Sequence, residues 1–162
     1  MKKRVIIVLY SFIGVISVLA VCLYALHMTS NPYNAKSIGE LPLPIGYERV
    51  EAPQDSYAEY LRSLPLKKRG TKVHLYKTND VAKYQWLSAG VVDMSLLSDD
   101  EQCADACMRM RAEYLYATGQ YSKIVFTTIN GEKLTYSGGN NRKAFERYMR
   151  NVYGHCNTTS LH

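Results

Sequence analysis

The sequence predicts an α+β fold: an N-terminal transmembrane or signal-anchor helix, then one small mixed helix and sheet domain. Three observations predict it. Val5 to Leu26 is a run of 22 residues without a charged side chain, preceded by Lys2, Lys3 and Arg4. Two later stretches, Ser98 to Gly119 and Arg142 to Tyr153, repeat apolar residues at helical spacing between start and stop signals. Between the helical stretches lie short alternating segments and an Asn130-Gly131 turn, which is the pattern of strands.

The first element follows from length. At about 1.5 Å per residue the apolar run spans roughly 33 Å as a helix, enough for a hydrocarbon core of about 30 Å. A cleavable signal has a shorter apolar region and a small-x-small site after it, whereas His27 and Met28 follow here. An uncleaved anchor is therefore expected over residues 1–27, with its basic flank in the cytoplasm and the remainder exported to the periplasm or cell surface. Leu19-Ala20-Val21-Cys22 offers the alternative of a lipoprotein attached through Cys22. Residues 28–40 are polar, contain Pro32 and Gly39, and read as a linker to an exported domain over residues 41–162.

Within that domain Gly46 to Val50 suggests a short strand, and Ser56 with Glu59 forms a capping box that opens a helix ended by Pro65. Lys72 to Lys77 alternates as a strand, with Val73 and Leu75 on one face, and Ala89 to Met94 reads as a buried strand. Asn79 to Gln85 is ambiguous. Ser98 and Glu101 form a second capping box, Asp99, Asp100 and Glu101 complement the helix dipole, and Gly119 suits the far end. Along this helix Cys103, Cys107, Met110, Tyr114 and Ala117 share the predicted core face, widened by Ala104, Met108 and Leu115. Gln102, Asp105, Arg109 and Glu113 face away. Asn130-Gly131 joins Ile124–Ile129 to Lys133–Tyr136 as a hairpin with positive φ at both turn residues. Arg142 to Tyr153 is the last helix, stopped by Gly154.

Composition restricts function. The formal net charge is +6, but Lys2, Lys3 and Arg4 lie before the anchor; 17 basic residues then face 14 acidic ones, or +3, beyond it. Lys67-Lys68-Arg69 is a short cluster rather than a basic stripe, so nucleic acid is not an expected partner. Phosphate-loop, dinucleotide and HExxH metal signatures are absent, and no cofactor or metal is implied. The 14 tyrosines read as scattered, half-buried residues; stacking on sugars or peptidoglycan is the functional alternative. Cys103, Cys107 and Cys156 are an odd number of exported thiols, so at least one stays unpaired within the chain. Cys103 is the one candidate nucleophile, because a thiolate is favoured near a helix start. The acidic residues around it, and a place in the second turn of the expected helix, oppose that role. His74 on its strand reads as a structural histidine.

Several motifs together resemble one bacterial family. They are Leu41-Pro42-Leu43-Pro44 with Gly46-Tyr47, Tyr57 through Leu66, Val73-His74-Leu75-Tyr76, and Gln102 through Ala106 with Arg109 through Tyr116. Asn141 through Phe145 with Tyr148-Met149-Arg150 completes the set. The resemblance is to the domain-of-unknown-function family numbered 4846, of exported envelope-type proteins, and it implies no established activity. Members look longer, continuing into a strand-rich half with a glycine-histidine-alanine element similar to papain-like cysteine hydrolases. That similarity implies Cys103 as nucleophile. No matching element follows here before Leu161-His162, so the resemblance implies a truncated copy whose histidine is missing. The expectation is a membrane-anchored envelope module that binds an envelope peptide or peptidoglycan. The alternative is a peptidase-like or amidase-like cysteine hydrolase.

Overall fold

The structure, a computed structural model, describes residues 2–27, 33–75, 77–99 and 101–161, with the side chains of these apart from residues 2–10, 24–27 and 86. Among the described residues it is a small α+β protein with four α-helices and a two-stranded sheet. Its residues separate into two compact units, 1–47 with 64–93 and 48–63 with 94–162.

The first unit begins with α1, Lys2–His27, which takes in the whole apolar run. Every described side chain on it, 11–23, is exposed. Among the described residues no helix is long and apolar enough to cross a membrane; the side chains at both ends of Val5–Leu26, and residues 28–32 of the linker, fall outside those described.

Further on, Pro65-Leu66 lies between two segments. Leu66 N donates to Lys36 O at 2.8 Å, Lys67 N to Val91 O at 2.7 Å and Asp93 N to Pro65 O at 2.7 Å. Val92 bridges Leu66, but residues 89–94 make no strand and are half-buried or exposed, which corrects the buried-strand expectation. Only one residue pair bridges on that side, too little for a ladder. Lys72–Lys77, whose Tyr76 falls outside the described residues, is likewise not a strand. It is one arm of a tight hairpin whose return is the ambiguous 79–85 stretch, bridged at His74 and Val81. Gln85 closes the hairpin from inside: its amide accepts from Val73 N at 2.9 Å and donates to Val73 O and Ala82 O at 3.0 and 2.6 Å. Leu75 is 51 % exposed, so its expected shared face with half-buried Val73 does not form a core. Gly46 to Val50 is an exposed bend, with Gly46 at φ +87° after Tyr47 N bonds Pro44 O, and not a strand.

The second unit holds the core. Its α2, Tyr57–Ser63, starts where Ser56 Oγ accepts Glu59 N at 3.2 Å, as the cap predicted. The next helix, α3, runs Cys103–Ala117, four residues later than the Ser98 box implied. Glu101 does not cap it; its carboxylate accepts Leu97 N at 3.0 Å and Arg109, while Asp105 takes the capping role by accepting Gln102 N at 2.8 Å. Asp100 falls outside the described residues. At the far end Gly119, at φ +71°, donates to Tyr116 O and Gln120 N bonds Leu115 O at 2.8 Å, a Schellman stop.

The buried face of α3 also differs from the expected one. Asp105, Met108, Arg109, Ala112 and Leu115 are buried, whereas Cys103 and Cys107 are exposed. Polar residues turn inward because each finds an internal partner, which removes the cost of desolvating a charge alone.

The hairpin pairs β1, Val125–Thr127, with β2, Lys133–Thr135, in the register Val125 to Thr135. Its turn is longer than two residues. Gly131 N bonds Thr128 O at 3.0 Å and Thr128 N bonds Glu132 O at 2.8 Å. Of the two turn residues only Gly131, at φ +86°, is left-handed, which makes a type I turn with a glycine bulge. Then α4, Arg142–His155, starts at Asn141, whose side chain accepts Ala144 N at 3.1 Å. It runs through Gly154 rather than stopping there. Phe145, Met149 and Val152 of α4 are wholly buried and meet Met108, Ala112 and Leu115 of α3, with Ile124 and Phe126 closing the core.

Candidate functional site

Cys103 is the first residue of α3 and is exposed. The late start of the helix moves this thiol from the expected second turn to the first, where free N–H groups and the dipole favour an anion most. The acidic surroundings are also less hostile than their formula suggests. Glu101 is engaged by Arg109 at 3.0 Å, and Asp105 is spent on Gln102 N. Among the described residues Cys103 has no hydrogen-bond partner. His74 and His155 are bonded to backbone at Nδ1, His74 to Asn79 O and His155 to Asn151 O, each at 2.8 Å. Cys156 is buried, with Sγ 3.5 Å from Thr127 O, and burial pushes its thiol up. All four cysteines are free, and no group of three or more His, Cys, Asp or Glu side chains among the described residues is placed to hold a metal ion.

Beside Cys107 lies a feature that the sequence did not announce. Tyr57 and Tyr60, one turn apart on α2, stack with ring centroids 6.4 Å apart and planes 16° apart. Tyr114 of α3 meets both, at 5.3 and 5.6 Å, and its Oη donates to Asp55 O at 2.8 Å. The Arg111 guanidinium lies 5.8 Å over the Tyr57 ring. All three rings are half-buried. Burial raises the Tyr57 phenol, Arg111 opposes that rise, and Cys107 adds to it. These tyrosines are a cluster and not scattered, which corrects the compositional reading. The i, i+3 spacing of Tyr57 and Tyr60 was its visible signal. A second group, Tyr116, Tyr121, Tyr136 and Tyr148 around Phe145, belongs to the core, where Tyr136 Oη donates to Gly139 O and Asn141 O at 2.8 and 3.1 Å.

Behind the tyrosine face runs a chain of charges. Arg109 donates to Glu101, to Ser95 O at 3.1 Å and through Nε to Glu113 at 2.9 Å. Arg142 grips the same Glu113 with two bonds of 2.6 and 2.7 Å and reaches Glu146 at 3.1 Å. Burial by itself would raise the Glu113 carboxyl, but the bonds from Arg142 and Arg109 outweigh it and hold it below the usual carboxylate range. Tyr60 feels this chain as well: burial raises its phenol and Glu113 adds to the rise. The buried Tyr153 phenol lies beside Arg109 and Glu101 and is pushed up first by burial and then by Glu101.

The sequence model of a family described as Domain of unknown function (4846) matches residues 39–138, well over half of the chain. The chain belongs to that family. The match takes in the hairpin of the first unit, the tyrosine face and the whole of α3; in this member of the 4846 family Cys103 and Arg109 therefore lie inside the matched region. No curated protein and no solved structure matches the chain.

Proposed function

We propose that the chain is a membrane-tethered binding module of the cell envelope, anchored by Val5–Leu26, whose contact surface is the face formed by Tyr57, Tyr60 and Tyr114. The observation that carries this reading is the face itself: three half-buried tyrosine rings within 6.4 Å of one another, with Arg111 alongside. Aromatic faces pack against the C–H faces of sugars, and a guanidinium pairs with a carboxylate. Peptidoglycan and its peptides carry both groups, and they are the proposed ligand. The tether is supported by a helix of 26 residues whose described apolar side chains are all exposed, the pattern of an element solvated by lipid. The orientation, with Lys2, Lys3 and Arg4 inside and the rest exported, follows from the basic flank.

The test is co-sedimentation of the full chain, in detergent, with purified peptidoglycan sacculi. Binding that is lost in the Tyr57→Ala/Tyr60→Ala variant supports the reading; equal sedimentation of the two proteins overturns it. For the tether, release from cells without detergent contradicts an uncleaved span, and a lipid mass on Cys22 replaces it with the lipoprotein alternative.

A second reading has one observation in its favour, the exposed thiol of Cys103 at the first position of α3. In a cysteine hydrolase of envelope peptide or amide bonds this thiolate attacks the carbonyl carbon, and the C–N bond breaks as the amine leaves with a proton from a histidine. Water then hydrolyses the thioester to free the acid and the thiol. Its histidine comes from outside the described residues. Alkylation of Cys103 against pH decides it: a reactive thiolate below pH 7 supports the hydrolase, and ordinary titration near a pH of about 8.5 removes it.

A further inference from the structure

The positive charge of the chain beyond α1 is not spread evenly. Residues 67–83 hold Lys67, Lys68, Arg69, Lys72, Lys77 and Lys83 against the single acid Asp80. Lys67 pairs with Asp93 at 3.5 Å. The other five cations are exposed, and among the described residues none of them has an ion-pair partner. Lys72, Lys77 and Lys83 lie along one compact hairpin, closed by Leu75 N to Asp80 O at 2.8 Å and Ala82 N to Val73 O at 2.9 Å, with the Gln85 amide locked inside; Lys68 and Arg69 sit in the turn just before it. The same hairpin and the turn after it leave apolar side chains in the open: Leu75 51 %, Val81 43 % and Leu87 67 % exposed. Tyr84, held left-handed at φ +62°, is 64 % exposed.

We infer that this hairpin seats on an anionic bilayer surface, its lysines against phospholipid headgroups and Leu75, Val81 and Leu87 in the interfacial layer. The charge complementarity is direct: basic segments close to a membrane are attracted to anionic lipid, and the attraction fades within a Debye length. The apolar side chains distinguish a bilayer from a soluble polyanion, because exposed leucine and valine gain nothing from a polyphosphate in water, whereas an interface buries them. The inference rests on the tether reading, which keeps a bilayer within reach of the exported part.

The chain has one tryptophan, Trp86, next to Leu87, and it supplies the probe. The full chain is reconstituted in nanodiscs of phosphatidylcholine alone, or with about one third phosphatidylglycerol, each doped with brominated lipid. The expected result is bromolipid quenching of Trp86 in the anionic discs, weak quenching in the neutral ones, and loss of the difference at high salt. Removing surface cations should weaken the bilayer contact about fivefold for each cation, so Lys72→Gln/Lys77→Gln/Lys83→Gln should abolish the quenching. These side chains are exposed and the fold does not depend on them. Quenching independent of lipid charge, or unchanged in the triple variant, overturns the inference. So does long-chain polyphosphate binding the neutral-disc protein as tightly as the anionic bilayer holds the hairpin, with Leu75→Ser leaving both unchanged. The tether fails separately. A chain that stays in the disc with Trp86 unquenched retains the anchor and loses the hairpin contact. A chain that never enters a disc loses the anchor, and binding of added anionic vesicles then supports or overturns the hairpin contact alone.

Discussion

Replacing Arg109 by methionine should be among the most damaging single changes in the second unit. The side chain is 4 % exposed, and its partners Glu101 and Glu113 are 5 % and 13 % exposed. Three bonds converge on one guanidinium, at 2.9, 3.0 and 3.1 Å, and two of them run to carboxylates. Glu113 keeps Arg142 when Arg109 is lost, but Glu101 has no other cation in the network and Ser95 O loses its donor. Breaking a buried pair from one side costs about 3–5 kcal/mol, because the remaining charge is desolvated without compensation. Against a total stability of roughly 5–15 kcal/mol this brings the unit close to unfolding. Urea denaturation of the full chain at pH 7, followed by circular dichroism, measures it. The partner change Glu101→Gln in the same background should recover part of the loss, with a coupling energy of roughly 1–3 kcal/mol. A loss below about 1 kcal/mol for Arg109→Met, or additive effects in the double variant, would show that the network contributes only solvated surface pairs.

Three further outcomes are expected. Because Glu113 is held below its unfolded value, its contribution is complete above the ordinary carboxylate range and is lost as pH falls through the folded value. Urea midpoints of the parent chain should therefore drop more steeply below a pH of about 4.5 than those of Glu113→Gln; parallel curves contradict the assignment. Phe145→Ala empties a wholly buried site against Tyr116 and Tyr136, with ring centroids 4.7 and 5.8 Å away, and should cost about 3–5 kcal/mol in the same assay. A cost under 1 kcal/mol refutes the packing. Brief native alkylation read by peptide mass should modify Cys103 and Cys107 and spare Cys156, whose thiol burial pushes up; equal labelling of all three contradicts the burial described here.

Local signals in the sequence located much of the fold. Ser56, Asn141 and Gly119 marked helix ends by satisfying backbone groups a few residues away, and such bonds are legible wherever partner and element are neighbours in the chain. Gly131 marked its turn for the same reason, although the bulge was invisible because it depends on Thr128 and Glu132 pairing across the loop. Orientation was harder. Arg109 and Glu113 read as facing away from the core face of α3. They turn inward because Arg142, 29 residues further on, and Glu101 complete their bonding, and no pattern within the helix encodes that. Cysteine worked in the opposite direction. Helical spacing placed Cys103 and Cys107 on the core face with Met110 and Tyr114, although both thiols are exposed. For the site, the nucleophile candidate was visible as a residue type near a helix start, while the Tyr57–Tyr60–Tyr114 cluster needed α2 and α3 to meet across more than 50 residues of chain.

The two units are interleaved in the chain, which passes from one to the other after residues 47, 63 and 93. A ribosome or a translocation channel delivers residues strictly in order, so completion is staggered. The first unit has all its pieces once residue 93 has emerged. By then 48–63 has long been outside, carrying Tyr57 and Tyr60 with no Tyr114 to meet, and it waits until the final third of the chain is delivered. During that interval an aromatic segment is available to chaperones and proteases. A stall in synthesis between residues 93 and 114 would leave a finished first unit joined to an unfinished partner.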